Sequence, residues 1–304
     1  MPDSTSDSRA GGDARPVRLP WAATARVVAQ RIGLDPRYLR RVRWVHKARA
    51  VKRSGQSVRA HWRFVLASPE PDNYTYEIAN EPELAGWAAA VIGCDLARAR
   101  AFVEEPHHDR ELTRRLRAAT AGRWAWSKAV PPFGKRLGWY AVVRGLRPSL
   151  VIEIGAHDGL GSLLVLRALE RNQAEGSPGR LVSFDVNRLA GWLVGEHPLW
   201  ELRIQSSQEG MAHVLAAAEP LDLFIYDGWH TYEAEYGDLE TAAAHLSGRG
   251  ALLSDDAQVT QALRRLAEQR GLAYSEFQEV PVGHFYPGAV LAAAGRRGGS
   301  GKEH

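Results

Sequence analysis

The fold turns on residues 150–161, Leu150-Val-Ile-Glu-Ile-Gly155-Ala-His-Asp-Gly159-Leu-Gly161. The first five residues form a short aliphatic run, the composition of a strand covered on both faces. Three glycines follow, allowing a tight turn and close approach of backbone to a ligand at the start of a helix. From Gly161 to Arg171 the apolar residues Leu163, Leu164, Leu166 and Leu169 then recur at helical spacing. Strand, glycine-rich turn and helix in that order open a β–α unit. The turn does not fit the dinucleotide pattern G-x-G-x-x-G. Counted from Gly155, that pattern needs glycine at 157 and 160, where His157 and Leu160 stand.

The same alternation continues towards the C-terminus. Arg180 to Phe184 reads as a second strand ending at Asp185, and Leu202 to Gln205 as a weak third. Ser206 and Glu209 fit a capping box that opens a helix through Ala218. Leu221 to Tyr226 is a fourth strand, followed by a helix from Tyr232 to Leu246 that stops near Gly248 and Gly250. Ala251 to Ser254 is a fifth strand, and Ala257 to Arg270 a helix closed by Gly271. Leu272 to Glu279 and Gly288 to Ala294 have no helix between them, which predicts an antiparallel hairpin at one sheet edge. The expected fold class is therefore α/β. A mainly parallel Rossmann-like sheet with a terminal antiparallel hairpin spans 131–295, behind a mostly helical N-terminal region.

In such sheets ligands bind beyond the carboxyl ends of the strands. Asp185, 30 residues after Gly155, closes the second strand. Its carboxylate suits a ribose diol, because it carries acceptors only. It also precedes a predicted helix, where an Asp serves equally as a cap. Asp227 closes the fourth strand, and Asp255 with Asp256 closes the fifth. Neighbouring strands lie about 5 Å apart, so these three carboxylates converge. Like charges this close require a neutralising cation or a proton. Oxygen ligands suit Mg²⁺, Mn²⁺ or Ca²⁺ better than zinc. His230, three residues after Asp227, sits within reach as a general base. Read singly, Asp256 is a helix cap and His230 a packing or surface residue. Read together at matching strand ends, they point to a site.

Taken as a set, these residues resemble the class I S-adenosylmethionine-dependent methyltransferases. More narrowly, they resemble the metal-dependent small-molecule O-methyltransferases, including the macrocin and mycinamicin sugar enzymes and, more distantly, catechol O-methyltransferase. The likeness covers about residues 136–294. It rests on the segment from Trp139 to Gly155, on Asp227-Gly-Trp-His-Thr-Tyr232 and on Leu253-Ser-Asp-Asp256. The resemblance implies S-adenosylmethionine as cofactor. Glu153, Gly155, His157 and Gly159 would cradle its methionine part, and Asp185 its ribose hydroxyls. Asp227 would stand beside the cofactor and, with Asp255 and Asp256, bind Mg²⁺ (or Mn²⁺). His230 would take the proton of a hydroxylated small-molecule acceptor, such as a sugar of a natural product or glycoconjugate. This chain departs from E/D-x-G-x-G-x-G at His157, which replaces the middle glycine.

The rest of the chain is less specific. Residues 1–16 are polar, without the apolar core of a secretory signal, and read as a disordered tail; 296–304 read as a frayed one. No run of about 18 apolar residues marks a membrane span. Cys94 is the only cysteine, which excludes an internal disulfide and suits a reducing cytoplasm. Residues 17–130 form a basic, mostly helical region, expected to serve as a lid or a homo-oligomer contact. Within it, residues 37–63 hold ten Arg or Lys and no Asp or Glu, interleaved with Trp44 and Trp62. Such a run is most often a solvated face. It also suits nucleic acid, an anionic membrane or an acidic partner. The modest net charge of +4 argues against a dedicated nucleic-acid protein. Residues 74–104 read as one or two helices, and His107-His108-Asp109 as loop. Three alternatives stay open: a metal-independent or N-methyl transferase, an RNA-binding or RNA-modifying protein, and an idle binding module.

Overall fold

The computed structural model describes residues 44–45, 47–49, 51–52, 55, 57–67, 76–121, 130–217 and 220–295. Both predicted tails, and Arg40, Arg41 and Arg43 of the basic run, lie outside these residues.

Seven strands build one sheet: β1 (Leu150–Ile154), β2 (Arg180–Asp185), β3 (Trp200–Ile204), β4 (Leu221–Tyr226), β5 (Leu246–Ser254), β6 (Ala273–Gln278) and β7 (Val290–Gly295). Their order is β3-β2-β1-β4-β5-β7-β6. The first five are parallel, while β7 runs antiparallel to both β5 and β6. The expected hairpin is therefore present, with β7 slotted between β5 and β6. Along β1 the side chains alternate between two cores. Val151 faces a helical layer that includes α5 (Arg136–Leu146) and α6 (Leu160–Ala174). Ile152 and Ile154 face α7 (Ser207–Ala217), α8 (Tyr232–Ala244) and α9 (Ala262–Arg270).

Two boundaries within the sheet domain differ from the sequence reading by five residues (251 − 246 and 262 − 257). The strand expected from Ala251 begins at Leu246, so Gly248 and Gly250 lie inside it, and its pairing with β4 shifts register between Leu221 and Leu223. The helix expected from Ala257 begins at Ala262. The Ala257 N–H donates instead to the Val290 carbonyl at 2.9 Å, which ties the chain to β7 before a helical turn can form.

Ahead of this sheet come α1 (Trp62–Ala67), α2 (Glu81–Ile92), α3 (Leu96–His108) and α4 (Arg110–Thr120). His107 and His108 close α3 and Asp109 caps α4, so the expected loop is instead a helix junction. The Asp109 side chain accepts from the Leu112 N–H at 2.9 Å and from Arg167 Nε at 2.7 Å, joining that junction to α6. Leu84, Trp87, Phe102, Leu112 and Leu116 share one core with Tyr140 and Val143 of α5. Residues 76–80 run beside the end of β6: Ala79 donates to Val280 at 2.8 Å and Val282 to Glu77 at 2.7 Å. This strap thus pairs with the chain just past β6, and Asn80 Nδ2 donates to the last β6 carbonyl, that of Gln278, at 2.9 Å. Among the described residues, no helix is long and apolar enough to cross a membrane.

Candidate active site

The carboxyl ends of four strands are stitched side by side. Gly155 N–H donates to the Phe184 carbonyl, Asp227 N–H to Ile154, and Asp255 N–H to Tyr226, each at 2.8 Å. Gly155 has φ +91°, and a Cβ there would lie 1.9 Å from the Asp227 carbonyl oxygen. Only glycine lets the turn after β1 pass so close to the end of β4.

On one side of this turn lies a cavity of about 150 Å³, lined by Gly155, Asp185, Val186, Ser206, Gly228 and Trp229 among others. Asp185 accepts the His157 N–H through Oδ2 and the Asn187 N–H through Oδ1, both at 2.7 Å. Each oxygen keeps a second lone pair for a ligand. His157 has φ +49°, a left-handed conformation in which its backbone reaches Asp185 while its side chain is largely exposed. The departure from the glycine pattern is thus absorbed by the backbone. Gly159, at φ +95°, caps α6. Glu153 does not line the cavity. It is buried beneath the turn, accepting from Ser162 Oγ at 2.6 Å and Ser183 Oγ at 2.5 Å. Burial pushes its carboxyl up to about 7, against the lowering effect of those two hydroxyls.

On the other side gathers a charged cluster. Its centre is Lys135, buried at the N-terminus of α5. Its Nζ lies 3.0 Å from Asp255 Oδ2, 3.6 Å from Asp256 Oδ1 and 4.0 Å from Glu279 Oε1. Burial alone would lower its pKa, but the surrounding carboxylates raise it above the ordinary lysine value. Arg136 Nη2 lies 3.9 Å from Asp227 Oδ2. His230 Nε2 lies 3.6 Å from Asp256 Oδ2 and 4.0 Å from Asp227 Oδ1. Tyr286 donates to Asp256 Oδ1 at 3.1 Å, and Tyr76 donates to Glu279. Burial and the nearby Asp255 hold the Asp227 carboxyl well above the usual range. Burial also pushes Asp256 up, but Lys135, Gln258, His230 and Tyr286 outweigh it and leave the group below its ordinary value.

The three carboxylates expected to converge do so, but not as one ligand set. Asp255 is turned towards Lys135, and its Oδ1 is buried without a hydrogen-bond partner. The ligand atoms that come within 4.8 Å of one another belong to Asp227, His230 and Asp256. Its two carboxylates offer oxygen ligands suited to a hard divalent cation, with the His230 imidazole beside them. The charges fit as well. Asp227, Asp255, Asp256 and Glu279 carry four negative charges when ionised against two positive charges on Lys135 and Arg136, an excess of 4 − 2 = 2. Lys135, Arg136, Glu279, Tyr286 and Tyr76 were not among the residues singled out from the sequence. One signal pointed to the first two: a Lys-Arg pair at a helix N-terminus opposes the helix dipole and calls for acidic partners.

Residues 152–257 match the family described as "Methyltransferase domain". No curated protein matches the chain. Among solved structures, an O-methyltransferase from Bacillus cereus in complex with SAH is 16% identical. That alignment covers 70% of this chain and 100% of the other, with a TM-score of 0.47. TomG from Streptomyces achromogenes, an O-methyltransferase involved in tomaymycin synthesis and solved with SAM, is 18% identical. It covers 62% of this chain and 91% of its own, with a TM-score of 0.46. The fold assignment rests on the strand order with its inserted antiparallel β7, not on these distant likenesses. The match to a methyltransferase domain thus falls on the strands and turns that carry Gly155, Asp185, Asp227 and Asp255.

Proposed function

We propose that the protein transfers a methyl group to an oxygen of a hydroxylated small molecule, in a reaction that uses a divalent cation, Mg²⁺ or Mn²⁺. The observation that carries this reading is the cluster of Asp227, His230 and Asp256, with ligand atoms within 4.8 Å of one another beside the turn at Gly155. S-adenosylmethionine brings a methyl group already activated on a sulfonium, and a bound divalent cation lowers the pKa of an acceptor hydroxyl and fixes its orientation. Asp185 would offer its lone pairs to the ribose diol, and the backbone turn at Gly155–Gly159 would hold the rest of the cofactor. Asp227 and Asp256 would hold the cation. His230 Nε2 takes the acceptor's proton, and the resulting imidazolium is stabilised by the carboxylates 3.6 and 4.0 Å away. Asp255, held by Lys135, supports the cluster electrostatically.

An acceptor with neighbouring hydroxyls, such as a sugar, matches the family resemblance and an acidic site that recognises cations and hydroxyl donors. We assign catalysis to residues 131–295 and the acceptor-side lid to the helical region before them. A homo-oligomer in a reducing cytoplasm completes this reading. A second reading follows from Lys135. With its ammonium 3.0 Å from Asp255, it takes the place of a metal ion, beside Arg136, and transfer proceeds without metal. Exhaustive chelation separates the two. Under the lead reading EDTA abolishes turnover and added Mg²⁺ or Mn²⁺ restores it, whereas full turnover after chelation overturns that reading.

A further inference from the structure

The basic run before the catalytic domain is unused by the reaction above. No Asp or Glu occurs anywhere from residue 36 to 69. Among the described residues of this stretch, Arg49, Lys52, Arg59 and Arg63 are exposed. So are four large apolar side chains: Trp44, Val45, Trp62 and Leu66, with Trp62 at 53% and Leu66 at 52% of full exposure. Trp62 and Leu66 are one turn apart on α1 and share a face, with Arg63 beside them, while Phe64 and Val65 point inward.

The inward side is anchored. Phe64 packs on His284 at 4.4 Å and on Phe285 at 4.8 Å between ring centroids, and Val51 completes this small core. His284 and Phe285 belong to the 279–289 loop between β6 and β7, the loop whose Tyr286 bonds Asp256. Val280 and Val282 of that loop are themselves half exposed. Trp62, Arg63 and Leu66 are thus presented outward on a fixed base, the loop that also carries Tyr286.

We propose that this face is a peripheral docking surface for an anionic lipid bilayer. The exposed cations complement acidic headgroups, and the Trp, Val and Leu side chains suit the boundary between headgroups and acyl chains. A nucleic acid satisfies the cations equally well but leaves Val45 and Leu66 in water. This proposal stands independently of the methyl-transfer reading.

The test is co-sedimentation of the full chain with phosphatidylcholine vesicles, with and without phosphatidylserine. Binding is expected only when phosphatidylserine is present. The paired substitution Arg59→Ser and Arg63→Ser should weaken it roughly 25-fold, about fivefold for each basic residue near the surface. Arg59→Lys with Arg63→Lys should retain it. Trp62→Ser with Leu66→Ser should also weaken it, with the thermal unfolding midpoint of every variant held as the folding control. Equal binding to both vesicle types overturns the proposal. So does vesicle binding by the Trp62→Ser, Leu66→Ser variant at wild-type strength. Tight binding of a single-stranded RNA oligonucleotide, with no preference for phosphatidylserine, assigns the face to nucleic acid instead.

Discussion

Replacing Lys135 with methionine keeps the length of the side chain and removes its charge. The ammonium lies 3.0, 3.6 and 4.0 Å from Asp255, Asp256 and Glu279. At an effective dielectric of about 20, those separations correspond to attractions of about 5.5, 4.6 and 4.2 kcal/mol. Desolvating the ions offsets most of this, and experience with broken buried pairs places the net loss at about 3–5 kcal/mol. Lys135→Met should therefore lower the free energy of unfolding by that amount at neutral pH. The loss should shrink as pH falls. Without Lys135, burial and mutual repulsion favour protonated carboxyls in the folded protein, so acid restores what the missing ammonium supplied. The double variant Lys135→Met, Asp255→Asn should recover part of the stability, because no orphaned charge remains at the shortest contact. Denaturant titrations of wild type, both single variants and the double variant close the cycle. A Lys135→Met protein within about 1 kcal/mol of wild type would refute the reasoning, since surface substitutions cost no more than that.

Other outcomes follow from the same geometry. His230→Ala should lower kcat by about 10²–10⁴, the usual worth of a general base, while calorimetry finds S-adenosylhomocysteine affinity unchanged; a variant that turns over normally removes His230 from that role. Gly155→Ala forces a Cβ to within 1.9 Å of the Asp227 carbonyl at φ +91°, and should abolish cofactor binding in the same assay as the turn moves away from β4. Glu153→Gln should stabilise the protein at pH 8, by up to about 3 kcal/mol for a carboxyl moved from 4.5 to about 7. The sign follows from the raised value: the unfolded chain ionises first, so the wild type loses stability as pH rises from 4.5 towards 7 and the variant does not. Equal pH profiles for the two proteins would show that the Glu153 carboxyl is not perturbed.

Much of the sheet was legible because β1, β2, β4 and β5 carry short apolar runs closed by a glycine or an aspartate. Leu150–Ile154 and Leu221–Tyr226 fall where the sequence placed them. Gly248 and Gly250 misled, because a glycine that ends a helix looks the same as one inside a strand with shifted register. The acidic convergence was legible from strand-end spacing, but its division of labour was not. Asp255 and Asp256 are adjacent in sequence, and only the buried ammonium from α5 separates their roles. Glu279 and Tyr76 meet across 203 residues, a pairing no local pattern records.

The strap at 76–80 makes the helical region and the sheet mechanically interdependent. It pins Val280 and Pro281 from outside while Tyr76 grips Glu279 within, and Glu279 in turn faces Lys135. Slack in the strap would thus be transmitted to the Lys135 cluster without any nearby bond being cut. A catalytic unit excised at residue 131 would forfeit more than a cover. It would start life with the backbone of residues 280–282 unpaired and a glutamate stripped of its phenol.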